Sequence, residues 1–110
     1  MKIEQAENFV IVQDSKSDIA SFIENFSHEY NKVSEYNLVL DLSDNNKVSL
    51  ESLKLLTDLS KTHKKAKKSF VIVAKNINFN KVSVKMTVVP SLQEAQDIIE
   101  IEAIERDLGF

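Results

Sequence analysis

Residues 37–56 read NLVLDLSDNNKVSLESLKLL, and the rest of the chain can be interpreted from them. The first part, Leu38 to Leu42, is apolar except for Asp41, which is typical of a strand covered on both faces. A polar connection follows, and the leucines that come next recur every third residue, which predicts a helix; they are Leu50, Leu53, Leu56 and Leu59. Strand, polar loop and helix form half of a parallel βαβ unit. Its loop lies at the carboxyl end of the strand, where open α/β sheets usually carry their function.

Composition limits the possible classes of protein. With 110 residues, of which 43% are hydrophobic, the chain can enclose one core, and we expect one domain over residues 1–110. The net charge of -3 gives no overall attraction to nucleic acid or to a membrane, so neither is an expected partner. The absence of cysteine excludes disulfides and thiolate chemistry, and the single glycine, Gly109, excludes glycine-rich phosphate loops. The apolar runs are too short for a membrane helix and the N-terminus is too polar for a signal peptide, so we expect a cytoplasmic protein.

Regular patterns before residue 37 predict two strands and a helix. The strands cover residues 2–7 and 9–13, joined by a turn around Glu7 and Asn8. The helix follows Ser17, with Asp14, Ser15 or Ser17 as its cap. Its apolar stripe consists of Ile19, Phe22, Ile23, Phe26, Tyr30 and Val33. The leucine-rich second helix should begin near Ser49 and end in the basic run from Lys61 to Lys68.

The last third of the chain predicts two more strands and a helix. Residues 69–74 are apolar on both faces, whereas residues 82–88 alternate between apolar and polar, as an edge strand does. Ser91 and Glu94 form a capping box, and the final helix has an apolar face widened by Ile101 and Ile104. The predicted fold is α/β with the order ββαβαββα. Its sheet is mixed, residues 38–42 and 70–74 being parallel and central.

With this order, the chain resembles a STAS domain, the module of anti-sigma-factor antagonists and of the cytoplasmic tails of anion transporters. The resemblance covers about residues 2–99. It rests on Asp41-Leu-Ser43 after a hydrophobic strand, on Leu53 and Leu56 in the next helix, and on Val88-Val-Pro-Ser-Leu-Gln-Glu-Ala95. It implies a non-enzymatic module that regulates other proteins by binding them.

The sequence departs from the STAS pattern in two places. Where the antagonists carry Asp-Ser-Ser-Gly with a phosphorylatable first serine, this chain has Ser49, Leu50, Glu51 and Ser52. The resemblance therefore implies the fold without the phosphorylation switch. The segment between Ala74 and Val82 is also too short for the helix of most members. Similar small bacterial proteins sometimes carry a ribonuclease Z label, but two histidines, His28 and His63, cannot form that enzyme's metal centre.

The other chemical candidates have simpler structural interpretations. We interpret His63 as a cation at a helix end, and the lysines from Lys61 to Lys68 as the solvated end of the same helix. Asp41, Asp44 and Glu51 could approach a cation, but capping and loop hydrogen bonds account for them better. No residues form a recognisable nucleophilic set, so we expect neither enzymatic activity nor a cofactor.

We therefore predict a protein-binding module whose site follows the central strand. The residues expected to contact the partner are Asp44, Asn45, Asn46, Ser49 and Glu51. Two alternatives remain open. One is a domain that binds a nucleotide or another small ligand, and the other is an RNA-binding accessory of an RNA-processing enzyme that uses residues 61–68.

Overall fold

The chain has an α/β fold with a five-stranded mixed sheet and four α-helices. A computed structural model describes residues 1–13, 18–45 and 47–109. The strands are β1 (Lys2–Gln5), β2 (Val10–Gln13), β3 (Leu38–Asp41), β4 (Phe70–Val73) and β5 (Thr87–Val89). The helices are α1 (Ile19–Glu29), α2 (Leu50–Lys54), α3 (Thr57–Lys65) and α4 (Leu92–Asp107).

The strands lie side by side in the order in which they occur in the chain. β1 is antiparallel to β2, because the two are joined by a tight turn in which the amide of Ala6 donates to the carbonyl of Phe9 over 2.8 Å. β2 to β5 are all parallel, and Leu38 is paired with Val10 on one side and Phe70 on the other. β3 is therefore the middle strand of the sheet. The predicted parallel, central positions of residues 38–42 and 70–74 are confirmed.

The sheet is covered by apolar residues on both faces, as the sequence of β3 requires. Leu38 and Leu40 point into the larger core, which is filled from the helices by Phe22, Phe26, Leu53 and Leu56. Val39 points the other way, into a smaller core that is filled from α4 by Ala95 and Ile99. Since successive side chains of a strand alternate between faces, only a strand buried on both sides reads as a continuous apolar run.

α1 presents the predicted stripe to the larger core, and a 3-10 turn at Tyr30–Lys32 continues it. Its cap is Asp18, whose Oδ2 accepts a hydrogen bond of 3.1 Å from the amide of Ser21. The caps expected at Asp14, Ser15 or Ser17 lie outside the described residues.

The second predicted helix is two helices with a tightened turn between them. α2 begins after Ser49, as predicted, but the amides of Leu55 and Leu56 bond three residues back, to Ser52 and Leu53. Hydrogen bonds that span three residues instead of four characterise a 3-10 turn, which here interrupts the α-helix. α3 resumes at Thr57. The leucine spacing of three did not reveal this break, because it suits a 3-10 turn as well as an α-helix.

The predicted edge strand over residues 82–88 is wrong in its extent. The strand is at the edge, but it begins at Thr87, and Val84 is 98% exposed. Residues 83–86 form a turn instead: the Ser83 hydroxyl accepts from the amide of Lys85, and the Ser83 carbonyl from the amide of Met86. A serine that bonds the backbone two residues ahead favours a turn over a strand. The segment between β4 and β5 also contains a 3-10 turn, Phe79–Lys81.

α4 has the predicted start but a narrower apolar face than predicted. Ser91 caps it by accepting from the amide of Glu94 over 3.2 Å, and Gly109 follows it at a φ of 83°. Ile101 and Ile104, expected to widen the face, are more than half exposed. α4 lies against β4 and β5 through Ala95 and Ile99, and these two isoleucines lie on the side of the helix away from the sheet.

The turn before β5 can be tested by paired substitutions. We expect Val84→Ala to change the free energy of unfolding by less than about 0.5 kcal/mol, since exposed side chains contribute little. Met86→Ala removes a buried side chain and should lower that free energy by about 2 to 5 kcal/mol. Urea unfolding of both variants measures the difference. Equal losses would indicate that Val84 is as buried as Met86, as a regular strand over residues 82–88 requires.

Candidate functional site

The candidate site lies at the edge of the sheet where the parallel strands end. β2 ends at Gln13 and β3 at Asp41, and their side chains meet: Gln13 Nε2 donates to Asp41 Oδ2 over 3.2 Å. The other carboxylate oxygen of Asp41 accepts from Ser43, over 3.0 Å from the amide and 2.6 Å from the hydroxyl. Both oxygens of Asp41 are therefore used to hold the start of the loop.

The loop that follows Asp41 is held by hydrogen bonds between near neighbours. The amide of Asn45 donates to the carbonyl of Leu42 over 3.0 Å, and Asn45 Oδ1 accepts from the amide of Lys47 over 2.9 Å. Val48 is buried in the larger core and anchors the far end of the loop. An asparagine side chain that replaces a backbone acceptor in this way stabilises a turn.

A capping box joins the loop to α2. Ser49 Oγ accepts from the amide of Ser52 over 3.2 Å, and Ser52 Oγ accepts from the amide of Ser49 over 3.4 Å. The two hydroxyl oxygens are 2.9 Å apart. The sequence predicted Ser49 as the cap, but Ser52 as its reciprocal partner was missed, because glutamate or glutamine is the usual residue there.

The predicted contact residues fall into two groups. Asp44 and Glu51 are exposed, with Glu51 in the first turn of α2. Asn45 and Ser49 hold the loop and the helix start, and Asn46 lies outside the described residues. In the ranges 1–13, 18–45 and 47–109, no group of three acidic, histidine or cysteine side chains is placed to hold a metal ion. Asp41, the last residue of β3, makes the loop hydrogen bonds that the simpler interpretation expected.

A small cleft beside this loop was not predicted. It has a volume of about 110 Å³. Its lining is formed by Leu50, Leu53, Lys54, Lys81, Val82, Ser83 and Met86. Leu50, a half-buried apolar residue at the start of α2, is one of the residues that line this largely apolar cleft. The turn at residues 83–86 forms one wall, and no sequence pattern indicated it.

His63 is not the exposed cation that the sequence predicted. It is fully buried, and both ring nitrogens have partners: Nδ1 lies 2.6 Å from the hydroxyl of Tyr30, and Nε2 lies 2.8 Å from the carbonyl oxygen of Tyr36. A carbonyl can only accept, so Nε2 carries the hydrogen and Nδ1 accepts from Tyr30. This arrangement fits a neutral imidazole, and it joins α1, α3 and the start of β3.

Burial lowers the pKa of His63, and the positive charge of Lys68 lowers it further, against an opposing effect of the bond to Tyr36. Burial likewise raises the pKa of the Tyr30 hydroxyl. Both shifts favour the neutral forms. The sequence did not reveal this, because His63 lies in a run of lysines although its side of α3 faces the core.

A second polar cluster fastens α4 at the opposite edge, where the parallel strands begin. Asn37 Oδ1 accepts from the amide of Ser69 over 2.8 Å, and Ser69 Oγ donates to Glu102 over 2.6 Å. Arg106 donates to both Asn37 and Ser69. These four side chains connect β3, β4 and α4. They are far apart in the sequence, so no local pattern pointed to them.

Comparisons with known proteins add no assignment to this geometry. No protein-family model matches the chain, and no curated protein sequence matches it. The resemblance to a STAS domain therefore stays a prediction from the sequence motifs, with which an α/β fold is compatible. None of the described helices has both the length and the apolar character needed to cross a membrane.

The buried histidine predicts how stability depends on pH. The pKa of His63 is lower in the folded chain than in the unfolded chain. The contribution of neutral His63 to the free energy of unfolding is therefore complete above the unfolded pKa of about 6.5, and it is lost as the pH falls below that value. Unfolding then takes up one proton, so the free energy of unfolding should fall by up to about 1.4 kcal/mol per pH unit. The fall ends where His63 is protonated in the folded chain as well. Urea unfolding at about pH 7.5 and about pH 5.5 measures it.

Two variants isolate this effect from the titration of carboxylates. In His63→Gln the loss between the two pH values should be smaller than in the parent, because the titrating group is gone. His28 is exposed, so His28→Gln should keep the parent's dependence. An unchanged dependence in His63→Gln would show that His63 is not the group responsible.

Proposed function

We propose that the chain is a STAS-like protein-binding module that regulates a partner without a serine phosphorylation switch, and that it binds through the loop after β3. The support is a mixed five-stranded α/β sheet together with the three motifs that resemble the STAS family. Fold resemblance alone does not define a function. The proposal therefore depends on the geometry of the loop.

The observation that carries the proposal is the contrast between hydrogen-bonded residues on either side of Asn46 and exposed acidic side chains. Asp41, Asn45 and Ser49 hold the loop by internal hydrogen bonds, while Asp44 and Glu51 remain exposed and form no hydrogen bond or ion pair within the described ranges. Residues already held by hydrogen bonds lose little conformational entropy on binding, which favours affinity. Functional loops on α/β scaffolds have this character.

The charges indicate the kind of partner surface that would fit. Two exposed carboxylates attract lysine or arginine side chains, and the adjacent cleft at Leu50 and Met86 can take a small apolar group or the aliphatic stem of such a side chain. Interfaces usually combine an apolar centre with a charged rim. We assign Leu50 to the centre and Asp44 and Glu51 to the rim, with Asn45 and Ser49 supporting them.

A consequence of the proposal is that Ser49 and Ser52 carry no regulatory phosphate. Their hydroxyls bond each other and the amides at the start of α2, and a phosphate there would replace the capping box. We expect phosphopeptide mass spectrometry of protein from its own cells to find both serines unmodified. Stoichiometric phosphate on either one would contradict a constitutive module.

The binding surface is tested by charge reversal in the full chain. When the tagged parent chain is purified from its own cells, a partner protein should co-purify with it. The variant with Asp44→Lys and Glu51→Lys should no longer co-purify with that partner. With the purified partner, the affinity should fall at least about tenfold. Most of this loss should come from slower association, because charges at the rim of an interface mainly affect the rate at which two proteins associate. Titration with that partner gives the dissociation constant, and stopped-flow mixing gives the association rate.

The matched control is Glu35→Lys with Glu100→Lys, which makes the same change in net charge at two other exposed sites. This control should retain the partner. If the double substitution at Asp44 and Glu51 changes affinity by less than about twofold, or 0.4 kcal/mol, the loop is not part of the interface.

A further inference from the structure

Cations from three separate elements meet on one surface at the edge where the parallel strands begin. They line three adjoining clefts of about 250, 340 and 300 Å³ that all share Lys64. We call this the basic surface. It consists of Lys61, Lys64, Lys65, Lys67, Lys68, Lys85 and Arg106. These seven are half of the 14 lysines and arginines in a chain whose net charge is -3, so the positive charge is strongly localised.

The positive charge of the basic surface is only partly offset from within. Two carboxylates, Glu102 and Glu105, line one of its clefts, and Glu102 already accepts from Ser69. No carboxylate oxygen in the described part of the chain lies within 4.0 Å of any of the seven cations. Lys64, which lines all three clefts, donates instead to the hydroxyl of Thr87 over 2.9 Å. Seven cations against two carboxylates leave an excess of positive charge, which favours binding of a polyanion.

The fold also brings an exposed aromatic ring to this edge. Tyr36 is 45% exposed, and its carbonyl is bonded to His63, which lies between Lys61 and Lys65 on α3. The next residue, Asn37, accepts from Arg106. Tyr36 is thus tied to both helices that supply the basic surface. Residues 61–68 contain no aromatic side chain. The sequence did not indicate one near them, because Tyr36 comes 25 or more residues earlier in the chain.

We propose that the basic surface binds single-stranded nucleic acid, with the lysines contacting phosphates and a base stacking on Tyr36. Cationic grooves combined with an exposed aromatic ring are the usual means of binding single strands without sequence preference. A membrane is a poorer fit, because Val84 is the one apolar side chain that lines the two clefts around Lys61, Lys65 and Lys67. This surface lies at the opposite edge from the loop after β3, so either proposal can fail independently.

The test is fluorescence anisotropy of the full chain with a labelled oligouridine of about 12 nucleotides. Binding should weaken steeply between about 50 and about 200 mM salt, since released counterions drive it. An oligothymidine of the same length distinguishes RNA from DNA. The triple variant Lys61→Gln, Lys65→Gln and Lys85→Gln should bind at least tenfold more weakly. Its slope of log affinity against log salt should be smaller by about 2, at roughly 0.7 per phosphate contact.

The matched control replaces three exposed lysines elsewhere, Lys2→Gln, Lys47→Gln and Lys75→Gln. It changes the net charge equally and should keep the parent's affinity within about twofold. Thermal unfolding of each variant verifies that it is folded. If the triple variant is unstable, the three single replacements are used, each expected to weaken binding by at least twofold.

Stacking is tested separately by Tyr36→Leu, which should weaken binding by at least about fivefold without changing the salt slope. Phe79→Leu, at another exposed aromatic, should have no effect. The proposal is overturned if the oligonucleotides do not bind at the lower salt, or if the control triple weakens binding as much as the test triple. Equal affinity for a duplex, or binding only to phosphatidylserine vesicles, would also overturn it.

Discussion

The burial of β3 on both faces is the constraint on which the rest of the structure depends. Val39 and Leu40 point in opposite directions and are both excluded from water, and each such side chain contributes roughly 1.5 to 3 kcal/mol when fully buried. A strand with two buried faces needs a neighbour on each edge and a helix layer on each side. β2 and β4 supply the edges, α1 to α3 supply one layer, and α4 supplies the other. The polar loop after β3 is exposed because the two ends of the sheet are left uncovered, and this loop lies at one of them.

α4 covers its face of the sheet with few apolar groups, and this explains the polar cluster at its far end. Its buried side chains are Ala95 and Ile99, both in the first half of the helix. In the second half, Glu102 and Arg106 bond Ser69 and Asn37 instead. Hydrogen bonds to charged groups contribute about 1.5 to 3 kcal/mol each, enough to hold a helix end that has little apolar contact. They also hold the second half of α4, and with it Arg106, against the starts of β3 and β4.

The sequence predicted the parts of the fold that depend on local periodicity. The two central strands, the start of α2 and the start of α4 follow from apolar runs and capping residues that lie close together in the chain. The failures have a common cause, which is that burial is decided by distant residues. Ile101 and Ile104 are apolar but no element covers them. His63 is polar but is covered by Tyr30 and Tyr36, and the alternation of residues 82–88 is overridden by a serine turn. In the candidate site, Asp44 and Glu51 could be placed from sequence, but Leu50 and Met86 could not be joined into one cleft.

The helix dipole offers a simpler origin for the basic surface, and the structure shows how far it extends. α3 and α4 both end at the edge where the strands begin, and cations within the last turn of a helix are stabilised by about 0.3 to 1 kcal/mol. That accounts for Lys64, Lys65 and Arg106. It does not account for Lys61, which precedes the last turn of α3, or for Lys85, which belongs to no helix. These two lysines line the same cleft as Lys64 and Lys65. Their presence there adds repulsion without a compensating dipole, and a bound polyanion would relieve that repulsion.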